Sequence, residues 1–183
     1  LWSLKKILVS GALNMSIILG SEWLHNLAHT AAARWIGRPV DAVRVFMGMP
    51  LLIYREENTL SVTPTQHIQR GLGGPVLNAG LFVLAVVLRR FTRPESIARA
   101  AADAAVGMNA FLSTLSLLPI PGIDGGSVFK WAAVWRGKTP AEADALVVRA
   151  NRITAPGLGL AAGLALNRRQ WLMGAIFSFF TAL

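Results

Sequence analysis

Apolar positions in this chain come in long unbroken blocks rather than in short amphipathic periods. Between Lys6 and Arg34 the only formal charge is Glu22, and the stretch is long enough to cross a hydrocarbon layer of roughly 30 Å at about 1.5 Å per residue. It predicts a first membrane-spanning helix. At Gly37-Arg38-Pro39 the pattern changes to Val40 through Pro50 and then Leu51-Leu52-Ile53-Tyr54, followed by the polar Arg55-Glu56-Glu57-Asn58. This predicts a strand, a turn and a second strand at the membrane surface. Gly71 to Leu88 is a second charge-free span, closed by Arg89, Arg90 and Arg93, and its Gly73-Gly74-Pro75 start suits close helix packing. Ala104 to Leu118 is a third, ending where Pro119 and Pro121 forbid further helix. Ser127 to Gly137 and Ala141 to Thr154 read as surface helices, the latter carrying Glu142, Asp144, Arg149 and Arg152. Two apolar pieces remain, Ala155 to Leu166 and Gln170 to Leu183, each shorter than a usual span of about 17 to 25 residues, which suggests a tight helical pair.

The expected fold class is an all-α membrane protein, a polytopic helical bundle with a three-helix core and a small β-hairpin insertion after the first helix. One integral membrane domain over 1–183 is expected, with its core at 7–124 and surface and C-terminal helices at 125–183. Composition agrees: 54% of residues are hydrophobic, 15% are charged, and mean hydropathy is +0.50. The net charge of +9 would suggest nucleic acid in a soluble protein. Here Lys and Arg sit at the ends of apolar segments, so they read as topology signals and membrane-lipid contacts, with no nucleic-acid partner. The first segment is expected to be a retained span, since no small-residue cleavage site follows an apolar core. With up, down and up helices and a fourth crossing back, ten basic residues fall on one side against eight on the other, which points that first side toward the cytoplasm.

That side carries the chemistry. His25 and His29 lie four apart, so on a helix they differ by about 40° and about 6 Å of rise and can reach one metal ion. With no cysteine in the chain, any metal must be held by nitrogen and oxygen. If the first and third helices are parallel, the extended Pro119-Ile120-Pro121-Gly122-Ile123 segment brings Asp124 to similar depth. Glu22 lies one turn from Asn26 on the same face as both histidines. A single histidine in a helix is more often a packing residue, and Asn78 is as well placed to bond backbone across helices as to meet a substrate. His67 reads as interfacial, and Trp23, Trp35, Trp131, Trp135 and Trp171 as membrane anchors.

The His pair, Gly74-Pro75-Val76-Leu77-Asn78 and Leu118-Pro119-Ile120-Pro121-Gly122-Ile123-Asp124-Gly125 together resemble the signature elements of the site-2 protease family, intramembrane zinc metalloproteases that cut transmembrane substrates. The resemblance covers roughly Leu13 to Arg136. It implies a three-helix metalloprotease core, zinc held by His25, His29 and Asp124, Asn78 facing the site, and a strand-forming segment such as Val43 to Ile53 presenting an extended transmembrane protein or peptide substrate. One departure stands out: the family carries glutamate directly after the first histidine, as the base that deprotonates the attacking water, and this chain has Asn26. An amide cannot shuttle a proton, and losing a general base costs ~10² to 10⁴ in rate. Glu22 could serve as a displaced base, as a fourth ligand, or as an anionic partner orienting His25.

Three classes of function follow. The first is a weakened intramembrane zinc metalloprotease, its glutamate lost by nature or by design. The second is a pseudoprotease that binds a transmembrane helix or a lipid without cutting. A di-metal oxidase ranks last, since the Glu22-x-x-His25 spacing would need a second such motif and the sequence has none.

Overall fold

The structure, a computed structural model, describes residues 2–46, 48–55, 61–167, 178 and 181. The described residues form two compact units, 1–62 with 69–116 and 63–68 with 117–183.

In the first unit α1 runs from Leu4 to Trp35, opened by Ser3, whose Oγ accepts from Lys6 N at 3.3 Å. After it come β1 (Ala42–Phe46) and β2 (Met49–Ile53), an antiparallel pair in register Phe46↔Met49 through Ala42↔Ile53. The reversal sits at Gly48, whose φ of +83° suits glycine. Pro50 lies inside β2 rather than in the turn, which a two-stranded ribbon tolerates because a proline nitrogen can face away from the partner. The hairpin is pinned to α1 by Trp23, whose Nε1 donates to Gly48 O at 2.8 Å. Trp23 thus lies inside α1 rather than at its end, and is occupied within the protein.

Helix α2 spans Pro64–Arg90 and α3 spans Ile97–Thr114, with a 3-10 turn at Leu115–Leu117. α2 starts well before the expected Gly71. Thr63 and Gln66 form a reciprocal cap there: Thr63 N donates to Gln66 Oε1 at 3.0 Å, Gln66 N donates to Thr63 Oγ1 at 3.3 Å, and Pro64 takes the first helical position. α3 likewise starts before the expected Ala104, because Ser96 Oγ caps Arg99 N at 3.0 Å. Hydrogen bonds set the directions. Lys6 meets Glu95 and Ser21 meets Asn109, so α1 and α3 run parallel. His25 meets Asn78 and His29 meets Arg70, so α2 runs opposite to both. Gly73 lets α2 approach α1 closely, since a Cβ there would lie 2.7 Å from Ala28 O.

Polarity in this unit is inverted relative to a soluble protein. The buried positions of α1 are Ser10, Ser21, His25, His29 and Ala33, while Leu4, Ile7, Leu8, Val9, Leu13, Met15, Leu24 and Leu27 are exposed. Apolar solvent outside explains that arrangement. Among the described helices, α1 and α2 are long and apolar enough to cross a membrane. The expected third span is shorter: α3 has 18 residues and includes Arg99 and Asp103.

In the second unit α4 spans Asp124–Trp135 and packs on α5, Pro140–Asn167. α4 begins at Asp124, not Ser127, and buries Gly125, Gly126, Lys130 and Trp131, so it is a packed helix with an exposed face. The expected surface helix 141–154 and the apolar piece 155–166 are one continuous helix, with Pro156 inside it. A change from polar to apolar side chains does not end a helix, and a capping box starts this one, Thr139 N donating to Glu142 Oε2 at 2.8 Å. Apart from residues 178 and 181, the apolar piece 170–183 lies outside the described residues. Trp131 and His67 are corrected outright: both are buried, stacked at 3.6 Å between ring centroids with planes 1° apart. Trp35 and Trp135 remain exposed, as anchors should.

Glycine is required where α4 starts. A Cβ on Gly126 would collide with the backbone carbonyl of Ile120, whereas one on Gly163 would meet nothing within 4 Å among the described residues. Gly126→Ala is expected to destabilise the protein by about 1–3 kcal/mol, and Gly163→Ala to stabilise it by about 0.5–1 kcal/mol, as read by thermal or denaturant unfolding.

Candidate metal centre

His25 and His29 lie on the buried face of α1, one turn apart. Their rings meet edge to face, with centroids 4.6 Å apart and planes at 82°, and their Nε2 atoms are 3.0 Å apart. The partners of the other ring nitrogens decide what those Nε2 atoms can do.

Nδ1 of His25 lies 2.7 Å from Asn78 Oδ1. The orientation of that amide is set by a chain of hydrogen bonds ending on the main chain. Asn109 Nδ2 donates to Ala105 O at 2.8 Å, which leaves Asn109 Oδ1 as the acceptor of Asn78 Nδ2 at 2.7 Å. Asn78 Oδ1 must then accept, so His25 Nδ1 carries the hydrogen. His29 is fixed more directly, its Nδ1 donating to Arg70 O at 2.7 Å. Gly74 N also approaches His29 Nδ1, at 3.3 Å. The shorter bond decides the tautomer, because a carbonyl oxygen can only accept and the Gly74 amide has that same Arg70 carbonyl as its helical acceptor.

The two Nε2 atoms face one another at 3.0 Å, and an imidazole whose one N–H is at Nδ1 presents a lone pair at Nε2. Such an arrangement is favourable only with a cation or a proton between them. The donor set fits a metal that accepts imidazole nitrogen, and the bonds at Nδ1 are of the kind that hold metal-ligating histidines in place. Gly74 supplies the room: a Cβ there would lie 2.5 Å from both His25 Cε1 and His29 Nε2.

The remaining expected site residues are placed as follows. Asn78 is wholly buried and bonds both His25 and Asn109, so it works through side chains rather than by capping backbone. Asn26 is half-buried; its Nδ2 donates to Glu22 O at 3.0 Å and reaches the Glu22 carboxylate at 3.5 Å. Asp124 opens α4 in the second unit, as the acidic residue of its first turn. Sequence reasoning missed Asn109, Ser21 and Arg70. Arg70 is buried, its guanidinium 4.2 Å from the centre of the Tyr54 ring, which links the residue holding His29 to the end of the hairpin.

Comparison with known proteins finds one fold likeness of weight. The site-2 protease from Methanocaldococcus jannaschii matches over 93% of this chain and 76% of its own, with a TM-score of 0.63 and 14% sequence identity. At that identity the likeness establishes a shared fold. No protein-family model matches the sequence, and no curated protein matches it.

If the amide relay is one unit, its members should be energetically coupled. Asn78→Leu and Asn109→Leu are each expected to cost about 1–3 kcal/mol by stranding a buried partner. The double variant should cost less than their sum, by about 0.5–3 kcal/mol, in a double-mutant cycle read by unfolding.

Proposed function

We propose that this chain is a site-2-protease-like intramembrane zinc metalloprotease whose hydrolysis is slow because residue 26 is Asn26. The observation that carries the reading is the pair of imidazole Nε2 atoms 3.0 Å apart, each ring held by an acceptor at Nδ1. In this reading Asp124 joins His25 and His29 as the third ligand, giving the two nitrogens and one carboxylate of a catalytic zinc site with an open position. A zinc ion held there would supply Lewis-acid polarisation of a peptide carbonyl and a water acidic enough to attack near neutral pH. The chain's own residues do the rest. Asn78 and Arg70 O aim the imidazoles, Gly74 makes space beside them, and the fully exposed strand β1 offers main-chain groups to an extended transmembrane protein or peptide segment. The chain would be an integral, multi-pass protein with its metal side toward the cytoplasm, following the ten-to-eight distribution of basic residues.

The proton shuttle is the weak point. Asn26 carries no exchangeable acid proton near neutral pH, and Glu22 is the carboxylate one turn away that its amide holds. The same contact favours a second reading, a pseudoprotease that binds a transmembrane helix or lipid, because an amide engaged with Glu22 contributes no base.

Four outcomes are expected. The purified protein should bind one zinc per chain by elemental analysis and lose it in His29→Ala and in Asp124→Ala; full occupancy in both variants would refute these ligands. Asn26→Glu should raise cleavage of a transmembrane substrate by about 10² to 10⁴. Glu22→Gln should abolish residual parent activity if Glu22 is a displaced base, and a parent as fast as Asn26→Glu would sink both readings. A cysteine at Pro94 should react with an impermeant reagent added outside intact cells, and protection there would reverse the orientation.

A further inference from the structure

The first unit also contains an apolar groove of about 610 Å³ that the chemistry above does not use, lined by Leu13, Ile17 and Leu24 of α1, Leu84 of α2, and Ala102 and Ala105 of α3. The alanines create it, since no large side chain of α3 fills the space between α1 and α2 there. From Leu13 to Leu24 it extends about 17 Å at the helical rise, a little over half of a hydrocarbon core of roughly 30 Å. A spanning helix would need the full depth, whereas an acyl chain needs the depth of one leaflet.

The two ends of the groove differ in chemistry. One closes on Ser21 and Asn109, members of the buried relay. The other reaches Leu88, Thr92 and Ala98, where positive charge collects. Lys6 Nζ donates to Glu95 O at 2.6 Å and so ties the start of α1 to the α2–α3 loop. That end carries Lys5, Lys6, Arg89, Arg90, Arg93 and Arg99 against Glu95 and Asp103. Arg89 is paired with Asp103. Arg99 donates from Nη2 to Thr92 O at 3.1 Å, and Thr92 is one of the residues lining this end of the groove. Its Nε is buried and has no hydrogen-bond partner among the described residues. The excess of Lys and Arg over Glu95 and Asp103 at this end suits an anionic oxygen acceptor.

We propose that the groove holds one acyl chain of an anionic phospholipid, its phosphate bound at the mouth by Arg99 within this basic cluster. Apolar length and charge complementarity select this occupant over a zwitterionic lipid, which fills the groove equally well but presents no net negative charge. The inference requires a membrane around the first unit and is independent of zinc and of proteolysis.

The test uses the full chain in a mild non-ionic detergent, with native mass spectrometry and titrations of phosphatidylglycerol, phosphatidylcholine of the same acyl chains, and inorganic phosphate. One phosphatidylglycerol per chain should be retained, several-fold more tightly than phosphatidylcholine. Arg99→Gln should weaken it by about tenfold, and Ala102→Phe, which fills the groove, should remove it. Arg99→Gln leaves the groove-lining side chains in place and removes the guanidinium together with its bond to Thr92 O, so it decides the matter even if Ala102→Phe fails to fold. Equal retention of both lipids, or binding insensitive to Arg99→Gln, would overturn the proposal. Inorganic phosphate displacing the lipid at equal concentration would also overturn it, by showing a headgroup site with no part for the groove.

Discussion

The candidate centre depends on one constraint: polar groups buried among apolar helices must satisfy one another, since no water is available to do it. The main-chain carbonyl of Ala105 is an acceptor and nothing else. From that fact the Asn109 amide, the Asn78 amide and the His25 ring take their orientations in turn. The same bonds join all three helices of the first unit. Ser21 and His25 belong to α1, Asn78 to α2 and Asn109 to α3, so the network that orients the imidazole also sets the depth at which the helices pair. In surroundings of low dielectric a half-satisfied network would be worse than none, which is why the buried amides and imidazoles of this unit bond one another.

Small residues are the counterpart of that polar interior. Gly73 lets the α2 backbone lie against the α1 backbone at Ala28, and Gly74 leaves the volume that the two rings occupy. Apolar helices gain little by hiding from lipid, so close backbone approach and interhelical hydrogen bonds carry the association. In the second unit Gly125 and Gly126 allow α4 to begin directly against the Leu117–Pro121 backbone, and Lys130 pairs with Asp144 of α5 at 2.8 Å. The two prolines before Asp124 are thus only half of the reason for that motif, and the glycines after it are the other half.

Much of this was legible in the sequence, and the misses have physical causes. The first span, the hairpin and the histidine pair follow from local patterns: charge-free length, glycine and proline breaks, and a four-residue spacing. The start of α2 was legible too, in Thr63-Pro64 followed by Gln66, but a search for charge-free length stops at Arg70 and passes over a cap. Asn109 leaves no local trace, being one polar residue in an alanine-rich helix whose partner lies 31 positions away. His67 and Trp131 looked interfacial because each stands near the end of an apolar stretch, yet their stacking is a tertiary contact that no periodicity encodes. The change from polar to apolar side chains at Ala155 looked like a boundary and lies inside one continuous helix, with Pro156 within it.

The central claim is that both Nδ1 atoms are held by acceptors so that both Nε2 atoms can bind one metal. X-ray absorption at the zinc edge of the purified, zinc-loaded chain tests it most directly. The account expects four nitrogen and oxygen scatterers at about 2.0–2.2 Å, with multiple scattering from two imidazoles that falls to one in His25→Ala. A spectrum lacking imidazole scattering, or one unchanged in His25→Ala, would contradict it.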